Sequence, residues 1–254
     1  MKLVVPGGNG FIGSEICRIA VRNGHEVAAF GRTGRPNLSP AQHPWVSDVE
    51  WRAADALDPK TYRDLFDGAD ALIHSVATIR EQPDEGVTFD RVNAQSAFQA
   101  AEAAVDADLD AFVFLSVRDK PPVVSPTFLS AKRRVERTFP DRFPSLRFAT
   151  LRPNLVFGRQ RPGTATMAAV LDRLPGGLHG YSARAGRPLP VELVAAAAVH
   201  TAATDTLSGI LDVDQIADLG RTSGLIDPAE VSEPSLTPLL ASLGGTALAG
   251  WLWR

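Results

Sequence analysis

The sequence predicts a doubly wound α/β fold, in which helices cover both faces of a parallel sheet. Short apolar runs alternate with amphipathic stretches through most of the 254 residues, and a glycine-rich loop directly follows the first apolar run. The composition, 44% hydrophobic and 22% charged, is that of an ordinary globular protein. Strands that alternate with helices require right-handed crossovers, and such crossovers produce a parallel sheet.

The apolar runs predict six strands, at Leu3–Val5, Glu26–Phe30, Val49–Ala54, Ala71–Ser75, Ala111–Leu115 and Arg147–Leu151. Helices are predicted between them, at Phe11–Asn23, around Pro59–Phe66, at Val87–Val105 and at about Thr127–Thr138. After Asn154 glycine and proline interrupt the pattern, and only a helix at Val191–Thr206 and a short strand at Ile210–Val213 are predicted. We therefore expect a core in residues 1–160, with residues 161–254 forming a small C-terminal cap of the same unit.

Composition excludes several classes of function. The net charge of -3 is unlike the basic excess of a general nucleic-acid binder. Cys17 is the single cysteine, so no internal disulfide can form, and one cysteine with five histidines gives no zinc-binding pattern. We expect no metal site. The first residues read as a buried strand without a secretory signal, which favours the cytoplasm.

The strongest motif is the loop Gly7-Gly8-Asn9-Gly10-Phe11-Ile12-Gly13, which has glycine at every third position between the first strand and the first helix. Glycine leaves room beneath a pyrophosphate, and the N–H groups at the start of the helix face its charge. We expect residues 7 and 9–13 to bind a dinucleotide. The fold is then of the Rossmann type, a doubly wound parallel sheet with a nucleotide at the edge.

The end of the second strand indicates which nicotinamide cofactor binds. An NAD site commonly has a carboxylate there to accept a hydrogen bond from the ribose 2′-hydroxyl. This chain has Phe30-Gly31-Arg32-Thr33-Gly34-Arg35 instead. Arg32, with Arg35 as a second candidate, offers guanidinium donors to a 2′-phosphate, and this favours NADP(H) over NAD(H).

Five further segments, in this order, complete a resemblance to the NAD(P)-dependent epimerase/dehydratase family, the extended and atypical short-chain dehydrogenase/reductases: Ala54-Asp55-Ala56, Ile73-His74-Ser75-Val76-Ala77, Asn93, Phe114-Leu115-Ser116-Val117 and Leu151-Arg152-Pro153-Asn154-Leu155-Val156-Phe157-Gly158. The resemblance runs from Met1 to about Val213. It implies that Asp55 and Ala56 meet the adenine and that residues 75–77 pass beneath the cofactor. It also implies that Pro153, Asn154 and Leu155 lie beside the nicotinamide. Within the family, the chain looks most like the subgroup of the mitochondrial complex I accessory subunit and a fungal coenzyme Q biosynthesis factor.

The chain departs from the family at its catalytic pair. Catalytic members have Tyr-x-x-x-Lys on one helix face, where the lysine holds the nicotinamide ribose and the phenol exchanges a proton with substrate. Here Lys132 is present, but Phe128 stands at the tyrosine position. Neither of the two tyrosines, Tyr62 and Tyr181, is followed by lysine at the fourth position.

Three interpretations stay open. The protein binds NADP(H) without standard turnover and has a structural, assembly or sensing role. Alternatively, it is an oxidoreductase or epimerase for a small or hydrophobic carbonyl substrate, with Lys132 and another acid such as Ser116, Ser130 or Tyr181. In the third, cofactor geometry does most of the catalysis and water is the acid, since general acid–base assistance contributes about 10²–10⁴-fold.

The C-terminal segment from Pro234 to Trp253 carries no charge and is rich in leucine and tryptophan. Its proline and glycines disfavour a helix that spans a bilayer. We expect it to pack on the body of the protein or at a subunit interface. Contact with a membrane surface through Trp251 and Trp253 is the alternative, which would place the protein at the periphery of a membrane.

Overall fold

The computed structural model describes residues 1–120, 124–173 and 186–234, and it contains a seven-stranded parallel sheet. The strands of this sheet are β1 (Lys2–Pro6), β2 (Glu26–Gly31), β3 (Val49–Ala53), β4 (Ala71–His74), β5 (Ala111–Leu115), β6 (Arg147–Arg152) and β9 (Gly209–Asp212), in the order β3-β2-β1-β4-β5-β6-β9. Two short strands, β7 (Val156–Phe157) and β8 (Leu189–Pro190), pair separately. The six predicted strands are confirmed, and the sheet is of the Rossmann type.

The helices are α1 (Phe11–Arg22), α2 (Ser96–Asp106), α3 (Pro126–Arg142), α4 (Pro162–Arg173), α5 (Val191–Ala202) and α6 (Val213–Thr222). A π-helical segment, Arg91–Gln95, leads directly into α2, where the sequence predicts one continuous helix. Two 3₁₀ turns, Pro59–Thr61 and Arg63–Phe66, form the connection that the sequence assigns to a single helix. Pro59 has no N–H to donate, and the Asp58 side chain caps the first turn by accepting a hydrogen bond from the Lys60 N–H. The segment therefore forms two short turns rather than one continuous helix.

Alternate residues of the central strands point into two separate apolar cores. Leu3 and Val5 of β1 pack on the face covered by α1, α5 and α6, while Val4 packs on the face covered by α2 and α3. Each of these three side chains is completely buried. Burial on both faces explains why the strands read as continuous apolar runs in the sequence, without polar alternation.

Residues after 160 contribute to the sheet and to its covering. Strand β9 pairs with β6, and α5 and α6 pack on the same face as α1. Helix α6 starts with a capping box formed by Asp212 and Gln215, a signal that was present in the sequence, yet neither α6 nor α4 was predicted. Tyr181 and residues 235–254 lie outside the described residues. Among the helices that the structure describes, none has the length and apolar character needed to cross a bilayer.

Candidate functional site

The glycine loop joins β1 to α1 at the point where the strand order reverses, between β1 and β4. Open parallel sheets bind ligands in the crevice at this switch point, outside the carboxyl ends of the strands. Gly7 has a positive φ of 78°, and a Cβ there would lie 2.9 Å from the backbone of Ser75. A Cβ on Gly13 would lie 2.1 Å from the carbonyl oxygen of Gly7. Only glycine permits this approach of helix and strand.

The start of α1 is open to an anion. Phe11, Ile12 and Gly13 are the first three residues of the helix, so their N–H groups have no acceptor within the helix. The N-cap residue, Gly10, provides no side-chain hydrogen bond, and the first turn contains no acidic residue. Neither the N-cap nor the first turn of α1 therefore compensates the positive end of the helix dipole, as is typical of a phosphate site.

A cleft of about 440 Å³ opens beside this loop. It is lined by nine of the predicted cofactor residues: Gly7, Asn9, Gly10, Arg32, Asp55, Ala56, Ser75, Val76 and Ala77. Sequence analysis missed the rest of the lining, which comes mostly from the chain after β4 and includes Thr78, Gln82, Glu85, Gly86, Val87, Arg91, Val92 and Ser96. The structure thus brings the ends of β1, β2, β3 and β4 together around one cleft.

The wall at the end of β2 carries positive charge. Arg32 is exposed and lines the cleft, whereas Asn9 donates a hydrogen bond from Nδ2 to Thr33 Oγ1 at 2.7 Å. Within the described residues, Arg32 and Arg35 form no ion pair. On the neighbouring strand end, Asp55 Oδ1 accepts a hydrogen bond from the Leu57 N–H at 2.9 Å, which closes a tight turn. The carboxylate of Asp55, one of the two residues predicted to meet the adenine, is therefore bonded to the backbone.

The wall after β4 is fixed by side-chain hydrogen bonds. Ser75 Oγ donates to the Pro6 carbonyl at 2.8 Å and so ties β4 to β1 beneath the cleft. The buried amide of Asn93 accepts a hydrogen bond from the Thr78 N–H at 2.8 Å and donates one to the Thr78 carbonyl at 3.0 Å. Asn93, which the family resemblance singled out, therefore holds the segment after β4 that forms this wall of the cleft.

Phe128, which the family resemblance sets at the tyrosine position, is part of the apolar core. Its ring is 4% exposed and meets Phe89 edge to face, with ring centroids 5.6 Å apart. Aromatic pairs favour this geometry, and it stabilises the packing of α3 against the chain before α2. Phe128 does not line the cleft.

Lys132 lies one helical turn after Phe128 and is also buried. Its ammonium donates a hydrogen bond to the Leu115 carbonyl at 2.8 Å and lies 4.7 Å from the centre of the Phe114 ring. Burial lowers the pKa of Lys132 to about 7, and the charge of Glu136 opposes this only in part. His74 is buried as well, and its own burial, together with the charge of Lys132, lowers its pKa to about 3, so His74 is neutral. The amine is directed at the end of β5, and it is not part of the cleft lining.

Ser116 belongs to a buried ionic network centred on Glu136. Ser116 Oγ donates to Glu136 Oε1 at 2.5 Å, Arg133 donates to the same oxygen at 2.6 Å, and Arg152 donates to the second oxygen. Burial raises the pKa of Glu136, but the hydrogen bonds from Arg152 and Ser116 outweigh it, so the pKa lies below its ordinary value. The hydroxyl proton of Ser116 is thus directed at a carboxylate.

The segment that was expected beside the nicotinamide follows β6 and lies apart from the cleft lining. Pro153 accepts a hydrogen bond from the Arg118 N–H at 2.8 Å, and Leu155 accepts one from the Leu189 N–H at 2.8 Å. Asn154 is buried and donates from Nδ2 to the Gly186 carbonyl at 2.5 Å. These residues connect β6 to the chain before β8, and their contact with a cofactor stays a prediction.

The residues that line this cleft lie within a region that matches a known protein family. Residues 3–121 match the model described as the NAD dependent epimerase/dehydratase family. These residues belong to that family. The family that the sequence motifs predicted is confirmed, while the subgroup within that family stays a prediction.

Three curated relatives match parts of the chain. An uncharacterized chloroplastic protein of Arabidopsis thaliana, At1g32220, is 29% identical over 163 residues, which are 63% of this chain and 52% of that protein. MIOREX complex component 2 of Saccharomyces cerevisiae is 38% identical over 84 residues, 32% of this chain and 30% of the relative. The 2-alkyl-3-oxoalkanoate reductase of Stenotrophomonas maltophilia is 38% identical over 77 residues, 30% of this chain and 22% of the relative. The matches span about half of the first relative and less than a third of the other two.

Among solved structures, UDP-glucose 4-epimerase of Thermus thermophilus in complex with NAD is similar to this chain, with a TM-score of 0.58. The similarity covers 99% of this chain and 93% of the epimerase chain. The sequence identity is 22%. At that identity the likeness concerns the fold, a Rossmann-type sheet with flanking helices.

Proposed function

We propose that the chain binds NADP(H) and acts, through the bound cofactor, as a structural, assembly or sensing protein without tyrosine-dependent turnover. One observation carries this proposal. The cleft has an open helix start and a glycine floor suited to a dinucleotide, whereas Phe128, Lys132 and Ser116 are all engaged inside the protein. Among the described residues, those suited to bind a dinucleotide line one cleft, and Phe128, Lys132 and Ser116 are not part of that lining.

The residues that would hold the cofactor follow from the cleft. The N–H groups of Phe11, Ile12 and Gly13, at the start of α1, would donate to the diphosphate. Asp55, Ala56 and residues 75–77 would surround the adenosine half, with Arg32 available to a 2′-phosphate. When bound, a nicotinamide cofactor supplies hydride chemistry. Phe128 has no proton to exchange, and the Lys132 amine is directed at Leu115, so neither side chain assists that chemistry in the manner of the family's catalytic pair.

Binding is tested first, by titrating the purified protein with NADPH and NADH and following nicotinamide fluorescence. We expect saturable binding of NADPH with an affinity at least tenfold above that of NADH, and we expect Arg32→Gln to remove the preference. Absence of saturable binding of either dinucleotide would contradict the proposed function as a whole.

Turnover is tested by NADPH oxidation with a panel of aldehydes and ketones, comparing the wild type with Phe128→Tyr. We expect no turnover above background in the wild type. Activity that appears only in Phe128→Tyr supports loss of the phenol as the reason. Robust activity of the wild type overturns the proposal.

An assembly role receives support from one relative, which is named as a component of a complex. A stabilising role of the cofactor has a direct measure, because a ligand that binds only the folded state raises the free energy of unfolding by about 2.7 kcal/mol at 100 times its Kd. We expect the Tm to rise with NADPH concentration.

The second candidate is an NADPH-dependent oxidoreductase or epimerase for a small or hydrophobic carbonyl substrate, with a different acid. One relative is named as a reductase of 2-alkyl-3-oxoalkanoates, and Lys132 has a pKa of about 7, within the range of a general acid. In that case the wild type oxidises NADPH in the carbonyl assay, and Lys132→Met or Ser116→Ala abolishes the activity while NADPH binding is kept.

A further inference from the structure

A second arginine, Arg91, lines the same cleft as Arg32. Arg32 reaches the cleft from the end of β2, whereas Arg91 is the first residue of the π-helical segment that leads into α2. Nothing in the spacing of the sequence distinguishes Arg91 from the other polar residues of the predicted helix Val87–Val105.

The Arg91 side chain is held in place by the turn beside it. Its Nη1 donates to the Gly86 carbonyl at 3.0 Å. The backbone N–H of Arg91 donates to Thr88 Oγ1 at 3.2 Å. Gly86 has a positive φ of 70°, and the turn is closed by two hydrogen bonds between Gln82 and Val87, of 2.8 and 3.0 Å. One hydrogen bond to a neutral carbonyl leaves most donors of the guanidinium free.

The charge of Arg91 is not balanced by an ion pair with any residue that the structure describes. The carboxylate next to it in sequence, Asp90, pairs instead with Arg134 at 2.7 Å. Two carboxylates, Asp55 and Glu85, also line the cleft, but neither lies within ion-pair distance of Arg91 or Arg32. The lining of the cleft therefore includes two arginines that form no ion pair with any described residue, each with donors available to a ligand.

Arg91 is the first residue of a π-helical segment at the edge of the cleft. The Ser96 N–H donates to the Arg91 carbonyl, five residues back, and both residues line the cleft. In an α-helix, residues five apart point about 140° away from each other, so only one of them could face the ligand. Segments of π-helix are rare and frequently occur at functional sites.

We propose that Arg91 is a second guanidinium that, together with Arg32, binds the 2′-phosphate of NADP(H) and so determines the preference for NADP(H) over NAD(H). The inference rests on the proposed function. A phosphomonoester carries a charge of about -1.5 to -2 near pH 7 and three acceptor oxygens, so it can engage two guanidiniums at once. A ribose 2′-hydroxyl offers no such charge.

The test compares Arg91→Gln with Arg63→Gln, a control at an exposed arginine outside the cleft lining that pairs with Asp106. Dissociation constants for NADPH, NADH, 2′,5′-ADP and 5′-AMP are measured by calorimetry. We expect Arg91→Gln to weaken NADPH and 2′,5′-ADP about tenfold or more, with NADH and 5′-AMP changed less than about twofold. Arg63→Gln should leave all four constants unchanged.

Arg91→Lys keeps the charge but loses the planar fork of donors, and it serves as the second variant in case Arg91→Gln disturbs the turn. We expect an intermediate loss of NADPH affinity and a Tm within a few degrees of the wild type.

Equal weakening of NADPH and NADH by Arg91→Gln would overturn the proposal, because it would place Arg91 against a part that both cofactors share. An unchanged NADPH affinity would do the same. Either result leaves the proposed function intact, provided that the wild type binds NADPH and that Arg32→Gln binds NADPH no more tightly than NADH.

Discussion

The ammonium of Lys132 donates a hydrogen bond to the Leu115 carbonyl at 2.8 Å, in a part of the core that is closed to solvent. This pair joins the middle of α3 to the end of β5. It directs Lys132, the one lysine of the helix, toward the end of β5, where burial of the amine disfavours its charged form.

Replacement of Lys132 by methionine should change how stability depends on pH. Burial lowers the pKa of Lys132 from 10.5 to about 7, so between these values the unfolded chain binds a proton that the folded chain does not. The free energy of unfolding of the wild type therefore rises with pH in this window, by at most about 1.4 kcal/mol per unit. Denaturant unfolding from pH 6.5 to 10 should show this rise in the wild type and a smaller one in Lys132→Met. Parallel curves for the two proteins would show that the amine keeps an ordinary pKa.

Replacement of Glu136 by glutamine should destabilise the fold strongly. Its carboxylate is the common partner of Arg133, Arg152 and Ser116, and its side chain is only 3% exposed. Removal of one partner from a buried network leaves charges without compensation, which costs about 3–5 kcal/mol. Glu102→Gln is the matched control, since Glu102 is half-exposed and pairs with Arg142 at the surface, where such pairs contribute about 0–1 kcal/mol.

The pH dependence of this network follows from the same carboxylate. Because its pKa is depressed in the folded state, its contribution is complete above the unfolded value of about 4.5 and is lost as the pH falls through the folded value. The difference in unfolding free energy between wild type and Glu136→Gln should accordingly shrink in acid. A loss below about 1 kcal/mol at pH 7 would mean that the network contributes no more than a surface pair.

Replacement of Gly13 by alanine should open the glycine loop. The added Cβ would lie 2.1 Å from the Gly7 carbonyl oxygen, so α1 must move away from β1 and carry its N–H groups with it. We expect a lower Tm and at least tenfold weaker dinucleotide binding, measured by thermal unfolding and fluorescence titration. Gly68→Ala is the control: Gly68 has a positive φ of 68° with open space around it, so alanine costs backbone strain of about 1 kcal/mol and leaves binding unchanged.

Much of the binding half of the site could be predicted from the chain. The Gly7–Gly13 spacing placed a phosphate loop between a strand and a helix, and the loop, strand and helix are found there. Asn93 was singled out by resemblance, and its amide holds Thr78 in the wall of the cleft. Such motifs are readable because backbone geometry and short-range hydrogen bonds determine them.

The remaining parts of the site depend on contacts between distant segments. The role proposed for Arg91 rests on its place in the cleft lining, at a π-helical segment that no periodicity in the sequence indicates. Ser116 and Glu136 come together from a strand end and the middle of a helix, twenty residues apart. Whether a polar side chain points into a cleft or into the core depends on neighbours that the local sequence does not contain.

The sequence by itself determined the alternation of strands and helices, the phosphate loop and the absence of a phenol four residues before Lys132. These follow from apolar periodicity, from the conformational freedom of glycine and from the identity of one residue. Only the tertiary structure decided that the Lys132 amine bonds to Leu115, that Phe128 packs on Phe89 and that two arginines face one cleft. The physical reason is that the direction of a side chain is set by the packing and charges of the elements around it, and these meet only when the chain has folded.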